Sequence, residues 1–137
     1  QGKVIECRDY ATVHGIWSYF MVDDGQIDFS GKRDSVIIGT LESYVQIRDF
    51  FGAEHVVPIY IDVEDGLRLS RALERERKQA QPKYAELCRR FLADTADFSP
   101  EKRKACGIHQ IYENIDIETC LNRIRTDIVK MRENVLY

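Results

Sequence analysis

The feature that most constrains this fold is the run at positions 55–63, His-Val-Val-Pro-Ile-Tyr-Ile-Asp-Val. Because the run is nearly continuous in apolar residues, it predicts a strand covered on both faces, as in a parallel sheet. Pro58 is unfavourable there, since proline lacks a ladder donor and favours an edge or a bulge. A helical pattern follows, with Asp65 as its cap and an end near residue 79. A strand that leads into a helix in this way is typical of a layered α/β domain.

The rest of the chain continues this order of strands and helices. Short strands are predicted at residues 4–7, 17–22, 36–39 and 108–112, and further helices at 41–51, 82–98 and from Asp116 onward. Thr40 would cap the first helix and Gly52 would stop it. We therefore expect a small antiparallel lobe at residues 1–34 and a core α/β domain with a mostly parallel sheet at residues 35–137.

Composition narrows the classes of function. The chain has 137 residues, a length that suits one domain. Its net charge of −3 argues against a broad nucleic-acid-binding surface. No apolar run approaches the ~18 residues that a membrane-spanning helix needs, and no signal-peptide pattern follows Gln1, so we expect a cytoplasmic protein. No metal site is predicted, because the four cysteines and the histidines lack ligand spacing.

Arginines are concentrated at residues 66–90, on the predicted helix 65–79 and the one after it. Arg71 and Arg75 are four residues apart and would share a helical face. Two forked guanidinium groups on one face, with another on a neighbouring helix, can clamp successive phosphates. The alternative is an ordinary solvated helix, because glutamates are interspersed with the arginines and could pair with them.

Residues 56–63 followed by 66–75 resemble the guanylate kinase family, in which a core strand leads into an arginine-rich helix and a mobile lid, here at about 66–90. The likeness continues through residues 86–94 and 111–118 and, upstream, through 2–6 and 12–19, so that it covers almost the whole chain. It implies the carboxy-terminal part of a P-loop nucleoside monophosphate kinase with a three-layer fold. The implied activity is phosphorylation of GMP to GDP by ATP with Mg²⁺.

The resemblance also implies roles for particular residues. Glu6 would accept hydrogen bonds from guanine, and Tyr19, or alternatively Trp17, would contact the monophosphate. Thr40 stands where the family often has an Asp-x-Asp element, and it could offer a hydroxyl to the substrate. Arg71, Arg75 and Arg90 would stabilise the transferring phosphoryl group or hold ATP, and Asn114 would lie near adenine.

Two departures from the family pattern leave the function open. Tyr19 is followed by Phe20-Met21 where the family has Gly-Thr, and no Gly-x-x-x-x-Gly-Lys-Ser/Thr phosphate loop is present in the sequence. We expect that loop, with the first strand and helix, to precede Gln1, and this fragment alone to be inactive. The alternatives are a non-catalytic guanylate-kinase-like module that binds a protein, and a kinase of another small phosphorylated substrate.

Overall fold

The computed structural model describes residues 3–12, 15–30 and 33–135. It contains two compact units, Gln1–Val57 and Pro58–Tyr137. The predicted lobe at residues 1–34 falls within the first unit, whereas the predicted core domain at residues 35–137 supplies residues to both units. The functional roles given to these two domains stay predictions.

An antiparallel hairpin of strands β1 (Lys3–Thr12) and β2 (Gly15–Asp23) forms most of the sheet structure in the first unit. Both strands extend beyond the predicted runs at residues 4–7 and 17–22. They do so because cross-strand pairing continues along the whole hairpin, and each pair adds side-chain contacts that local propensity does not include. The predicted antiparallel pairing at the start of the chain is therefore confirmed.

The hairpin register is irregular between Val4 and Glu6, as in a β-bulge. Beyond the irregularity, side chains alternate between the two faces of the sheet, so Glu6, Arg8 and Tyr10 share one face. The register places Tyr19 opposite Arg8 on this face. Glu6 is buried there, although it carries a carboxylate.

Helix α1 (Leu41–Phe51) has the bounds and caps that the sequence predicts. Thr40 and Ser43 form a reciprocal capping box, with the Thr40 N–H donating to Ser43 Oγ at 2.8 Å and the Ser43 N–H to Thr40 Oγ1 at 3.3 Å. Gly52 ends the helix with a φ of 92°, a conformation that favours glycine. The Gln46 side chain binds the backbone of Cys7 through both its oxygen, at 2.9 Å, and its nitrogen, at 3.2 Å, which ties α1 to β1.

The strand predicted at residues 36–39 is wrong. These residues have no regular secondary structure, and the side chains of Val36 and Ile38 are 87% and 97% exposed. β-branched residues favour a strand because they pack against cross-strand and same-face neighbours. Within the described ranges no strand pairs with this segment, so that stabilisation is missing.

The strand predicted at residues 55–63 is mostly wrong, because only β3 (Tyr60–Asp62) forms. It pairs in parallel with β4 (Ile111–Glu113), and Ile61 lies opposite Tyr112. Residues before Pro58 form a turn, in which the His55 N–H donates to Gly52 O at 3.1 Å. Ile61 is 51% exposed, so the expectation that both faces are covered is also wrong.

The second unit also contains four helices, which are in chain order α2 (Asp65–Arg77), α3 (Tyr84–Asp97), α4 (Pro100–Ala105) and α5 (Ile117–Val135). Glu64, not Asp65, caps α2, since its carboxylate accepts from the N–H groups of the next turn. Pro82 precedes α3 instead of standing in its first turn. Helix α4 was not predicted, whereas the Asp116 cap of α5 is confirmed by a 2.8 Å bond from the Thr119 N–H.

The core of the second unit is small and lies between β4 and α5. Tyr112, Cys120 and Ile124 form a buried cluster, and Ile128 packs against it. Cys120, Ile124 and Ile128 lie on α5, and Tyr112 lies on the strand beside it. The α/β class is thus confirmed, while the sheets that the structure describes are one antiparallel pair and one parallel pair. No helix among the described residues is both long and apolar enough to span a membrane.

Candidate functional site

An arginine-lined cavity of about 540 Å³ lies in the second unit, which we call the arginine cavity. Helix α2 supplies three arginines, and the segment between β4 and α5 supplies the opposite wall. The lining residues are Val63, Arg68, Arg71, Arg75 and residues 114–117. Because helix neighbours on one face are three or four residues apart, the spacing of these arginines directs them to a common side. Arg71 and Arg75 therefore lie on one face of α2, as predicted.

Arg71 connects α2 to the β4–α5 segment. Its Nη1 donates to Asn114 O at 2.8 Å and its Nη2 to Ile115 O at 2.7 Å. These are charge-assisted hydrogen bonds to backbone carbonyls, which are stronger than neutral ones. Arg71 therefore holds the wall of the cavity in place, a role that the sequence did not predict.

Arg75 differs from its neighbours on α2, because its guanidinium has no hydrogen bond or ion pair within the described ranges. Arg68, in contrast, donates to Asp65 Oδ1 at 2.9 Å and to Thr95 Oγ1 at 2.6 Å, and its guanidinium stacks on Phe91. Arg75 is exposed and lines the cavity. Its five N–H donors remain accessible to an anion.

Asn114 lines the arginine cavity, and its place near a bound nucleotide stays a prediction. Its backbone N–H donates to Asp62 O at 2.8 Å and so extends the β3–β4 pairing. Its side-chain Oδ1 is buried and has no hydrogen-bond partner among the described residues. A buried acceptor without a hydrogen-bond donor destabilises the folded state, and an N–H or O–H group of a ligand would remove this penalty.

Arg90 is not brought together with Arg71 and Arg75. It lies on α3, its side chain is 69% exposed, and its Nε pairs with Glu86 Oε1 at 2.9 Å. Arg89 pairs with the same carboxylate at 2.7 Å. Hydrogen bonds from these two arginines lower the pKa of Glu86 to about 2. The catalytic role given to Arg90 stays a prediction.

A second cavity, of about 620 Å³, lies in the first unit beside the hairpin, and we call it the hairpin cleft. Glu6, Arg8 and Tyr19 all line it. Arg8 forms a fork on the Glu6 carboxylate, with Nε to Oε2 at 2.8 Å and Nη2 to Oε1 at 3.3 Å. The bond to Glu6 is also the largest cause of a raised Arg8 pKa, so this guanidinium stays charged.

Of the other predicted substrate residues, Thr40 accepts a hydrogen bond from Arg8, whereas Tyr19 lines the cleft and contacts Tyr10. Arg8 Nη1 donates to Thr40 Oγ1 at 3.4 Å and to the Tyr10 hydroxyl at 3.3 Å. The Tyr19 ring contacts the Tyr10 ring edge to face, with centroids 5.6 Å apart. Trp17 lies opposite Tyr10, two pairs further along the hairpin than Tyr19, and does not line the cleft. Tyr19 thus lines the cleft and Trp17 does not, and which of the two contacts a substrate stays a prediction.

Arg8 is a residue of the hairpin cleft that the sequence analysis did not single out. The predicted strand ended at residue 7, one residue before Arg8, and only the longer strand β1 places Glu6 and Arg8 on one face. A carboxylate and a guanidinium on one face commonly pair.

The described residues do not form a metal site, since within residues 3–12, 15–30 and 33–135 no three His, Cys, Asp or Glu side chains are grouped to hold an ion. His14 and Lys32 lie outside the described residues. Searches against family models, curated proteins and solved structures find no match to this chain.

Proposed function

We propose that the full-length protein is a guanylate-kinase-like nucleoside monophosphate kinase that phosphorylates GMP with ATP, and that it has the P-loop three-layer fold. The observation that carries the proposal is the arginine cavity, in which Arg75 presents an uncommitted guanidinium beside the tethered Arg71. A phosphate clamp needs donors whose positions are fixed before the ligand arrives. Arg71 is fixed by its backbone contacts and Arg75 is available to the ligand.

In this proposal the arginine cavity receives ATP, which supplies the γ-phosphoryl group that is transferred. Arg75 donates to phosphate oxygens, and Arg71 adds positive charge from its fixed position on the same helix face. The orphaned Asn114 Oδ1 fits an amino donor such as that of adenine. The residues present thus fit a nucleotide.

The hairpin cleft receives the base of GMP. Glu6 is buried beside Arg8, and in this proposal it accepts hydrogen bonds from guanine. Such a polar site discriminates strongly, because a wrong base leaves the buried carboxylate with an unmet acceptor. Tyr19, opposite Arg8 in the register, contacts the monophosphate, and Thr40 supports the cleft through its bond from Arg8.

A coupled assay of ATP turnover by the full-length protein with GMP, AMP and UMP tests this function. We expect turnover with GMP above the other two, and none from the 137-residue chain, which has no phosphate loop. Arg75→Gln should lower kcat by up to about 100-fold, as removal of one hydrogen-bond donor to the transition state does in other enzymes. Arg77→Gln is the matched control, since Arg77 is exposed on the same helix and does not line the cavity.

Two results would reject parts of the proposal. Absence of GMP-dependent turnover by the full-length protein would refute the kinase function. An equal loss of kcat in Arg75→Gln and Arg77→Gln would refute the assignment of Arg75, because only one of them lines the cavity.

The second candidate is a non-catalytic module that binds a protein. The exposed apolar side chains of the first unit favour it, including Ile16 at 73%, Phe20 at 64% and Ile38 at 97% exposure. Exposed apolar clusters are common at protein-binding surfaces. This candidate predicts no turnover with any nucleoside monophosphate, so the same assay separates the two functions.

A further inference from the structure

The wall of the arginine cavity opposite α2 carries hydrogen-bond acceptors. Asn114 and Asp116 both line the cavity, and the buried Oδ1 of Asn114 has no hydrogen-bond partner among the described residues. The cavity therefore has guanidinium groups on its α2 side and amide and carboxylate oxygens on its β4–α5 side. The proposed function gives a task to Asn114 but none to Asp116.

Asp116 caps α5 and keeps part of its capacity to accept hydrogen bonds. Its Oδ2 accepts from the Thr119 N–H at 2.8 Å. Hydrogen bonds from the Thr119 side chain and N–H lower the pKa of Asp116, so its carboxylate is charged at neutral pH. A carboxylate has about four lone-pair sites, and the donors of Thr119 leave about half of them for a ligand. Because Asp116 is exposed, a ligand in the cavity can reach it.

We propose that Asp116 accepts a hydrogen bond from a ribose hydroxyl of ATP and so makes the arginine cavity selective for ribonucleotides, an inference that rests on the part of the proposed function that places ATP in this cavity. A hydroxyl is a neutral donor, and its bond to a carboxylate is charge-assisted and therefore stronger than a neutral one. A phosphate group in the same place would be repelled by the carboxylate. Asp116 thus receives the sugar of the nucleotide and not its phosphates.

The charges of the cavity support this orientation of the nucleotide. The first N–H groups of a helix normally attract phosphate. At α5, however, the Asp116 carboxylate already binds one of these N–H groups. The Arg75 guanidinium lies on the other side of the cavity, on α2, and attracts the phosphates there. The volume of about 540 Å³ lies within the range of small-ligand sites.

Arg71 fixes the acceptor wall before a ligand arrives. It donates to Asn114 O at 2.8 Å and to Ile115 O at 2.7 Å, and these two residues directly precede Asp116. Acceptors that are already ordered lose little freedom when they bind a ligand. Ile115 and Ile117, which flank Asp116 and line the cavity, add exposed apolar surface against which a sugar or a base can pack.

Isothermal titration calorimetry of the full-length protein with ATP and with dideoxy-ATP, which lacks both ribose hydroxyls, tests the proposal. We expect dideoxy-ATP to bind about fivefold more weakly, because a hydrogen bond to an exposed charged group contributes less than a buried one. In Asp116→Ser the two Kd values should become nearly equal, since serine is also a preferred cap but has no carboxylate. Glu118→Gln is the matched control, because it removes a negative charge from the first turn of α5 at a residue that does not line the cavity. It should retain the fivefold difference.

A measurement on the unaltered protein keeps the proposal testable if Asp116→Ser does not fold. The NMR signal of the Asp116 carboxyl carbon should shift when ATP binds and should shift less with dideoxy-ATP. Equal Kd values or equal shifts for the two nucleotides would overturn the proposal, as would a fivefold difference retained in folded Asp116→Ser. Absence of ATP binding would overturn the proposed function as well, whereas the expected Kd difference without any GMP turnover would reject the kinase function alone.

Discussion

Arg71 and Arg75 lie one turn apart on α2, and the structure predicts that they differ in their effect on stability. Arg71→Gln removes charge-assisted bonds to Asn114 O and Ile115 O, of which one is partly buried and the other exposed. Hydrogen bonds to charged groups contribute about 1.5–3 kcal/mol when buried, so with a discount for exposure we expect a total loss of about 2 kcal/mol. Arg75→Gln removes no side-chain hydrogen bond or ion pair within the described residues and should change stability by less than about 0.5 kcal/mol.

The assay is hydrogen exchange of the Asn114 amide, which donates to Asp62 O at 2.8 Å and lies beside the carbonyl that Arg71 binds. A loss of about 2 kcal/mol corresponds to an exchange rate about 30-fold higher in Arg71→Gln, and about 0.5 kcal/mol to a change of at most about twofold in Arg75→Gln. Equal exchange rates in the two variants would refute the reasoning, because they would show that the Arg71 contacts do not stabilise this segment.

Two further predictions concern helix stability. The pKa of Glu86 lies at about 2, below its ordinary 4.5, so the contribution of its pairs with Arg89 and Arg90 to α3 is present above pH 4.5 and is lost as the pH falls toward 2. Helix content, followed by circular dichroism, should fall as the pH is lowered over this range. In Glu86→Gln this decrease should be absent, and a pH curve identical to that of the unaltered protein would contradict the assignment. Thr40→Ala should lower the free energy of unfolding by about 1 kcal/mol in urea denaturation, because Ser43 loses its cap acceptor. Thr40→Ser keeps a hydroxyl and should retain most of this stability, and equal midpoints for the two variants would argue against a capping role.

Helix ends were the most predictable part of the fold, because their signals are local. Thr40, Gly52 and Asp116 act within a few residues of their own positions, and the structure uses each as predicted. Strands were less predictable, since a strand needs a partner that the local sequence does not specify. The β-branched run at 36–39 has no such partner in the described part of the chain, whereas the hairpin strands are longer than their apolar runs because they have each other.

In the candidate sites, too, local features were predictable and long-range contacts were not. Helical spacing predicted that Arg71 and Arg75 share a face. Spacing does not reveal what a side chain contacts across the fold. The tether from Arg71 to the β4–α5 segment and the bond from Arg8 to Thr40 join residues that are 43 and 32 positions apart, so they become visible only in three dimensions.

The contact between Gln46 and Cys7 has a consequence for aggregation. The outer strand of a hairpin normally offers free N–H and C=O groups, to which another chain can add a strand. At Cys7 both groups are already bonded to the Gln46 amide, which takes the place that a neighbouring peptide group would have. Helix α1 therefore blocks the β1 edge near its middle. At this place a second molecule finds no free backbone groups to which it could add a strand, although apolar side chains of the hairpin are exposed.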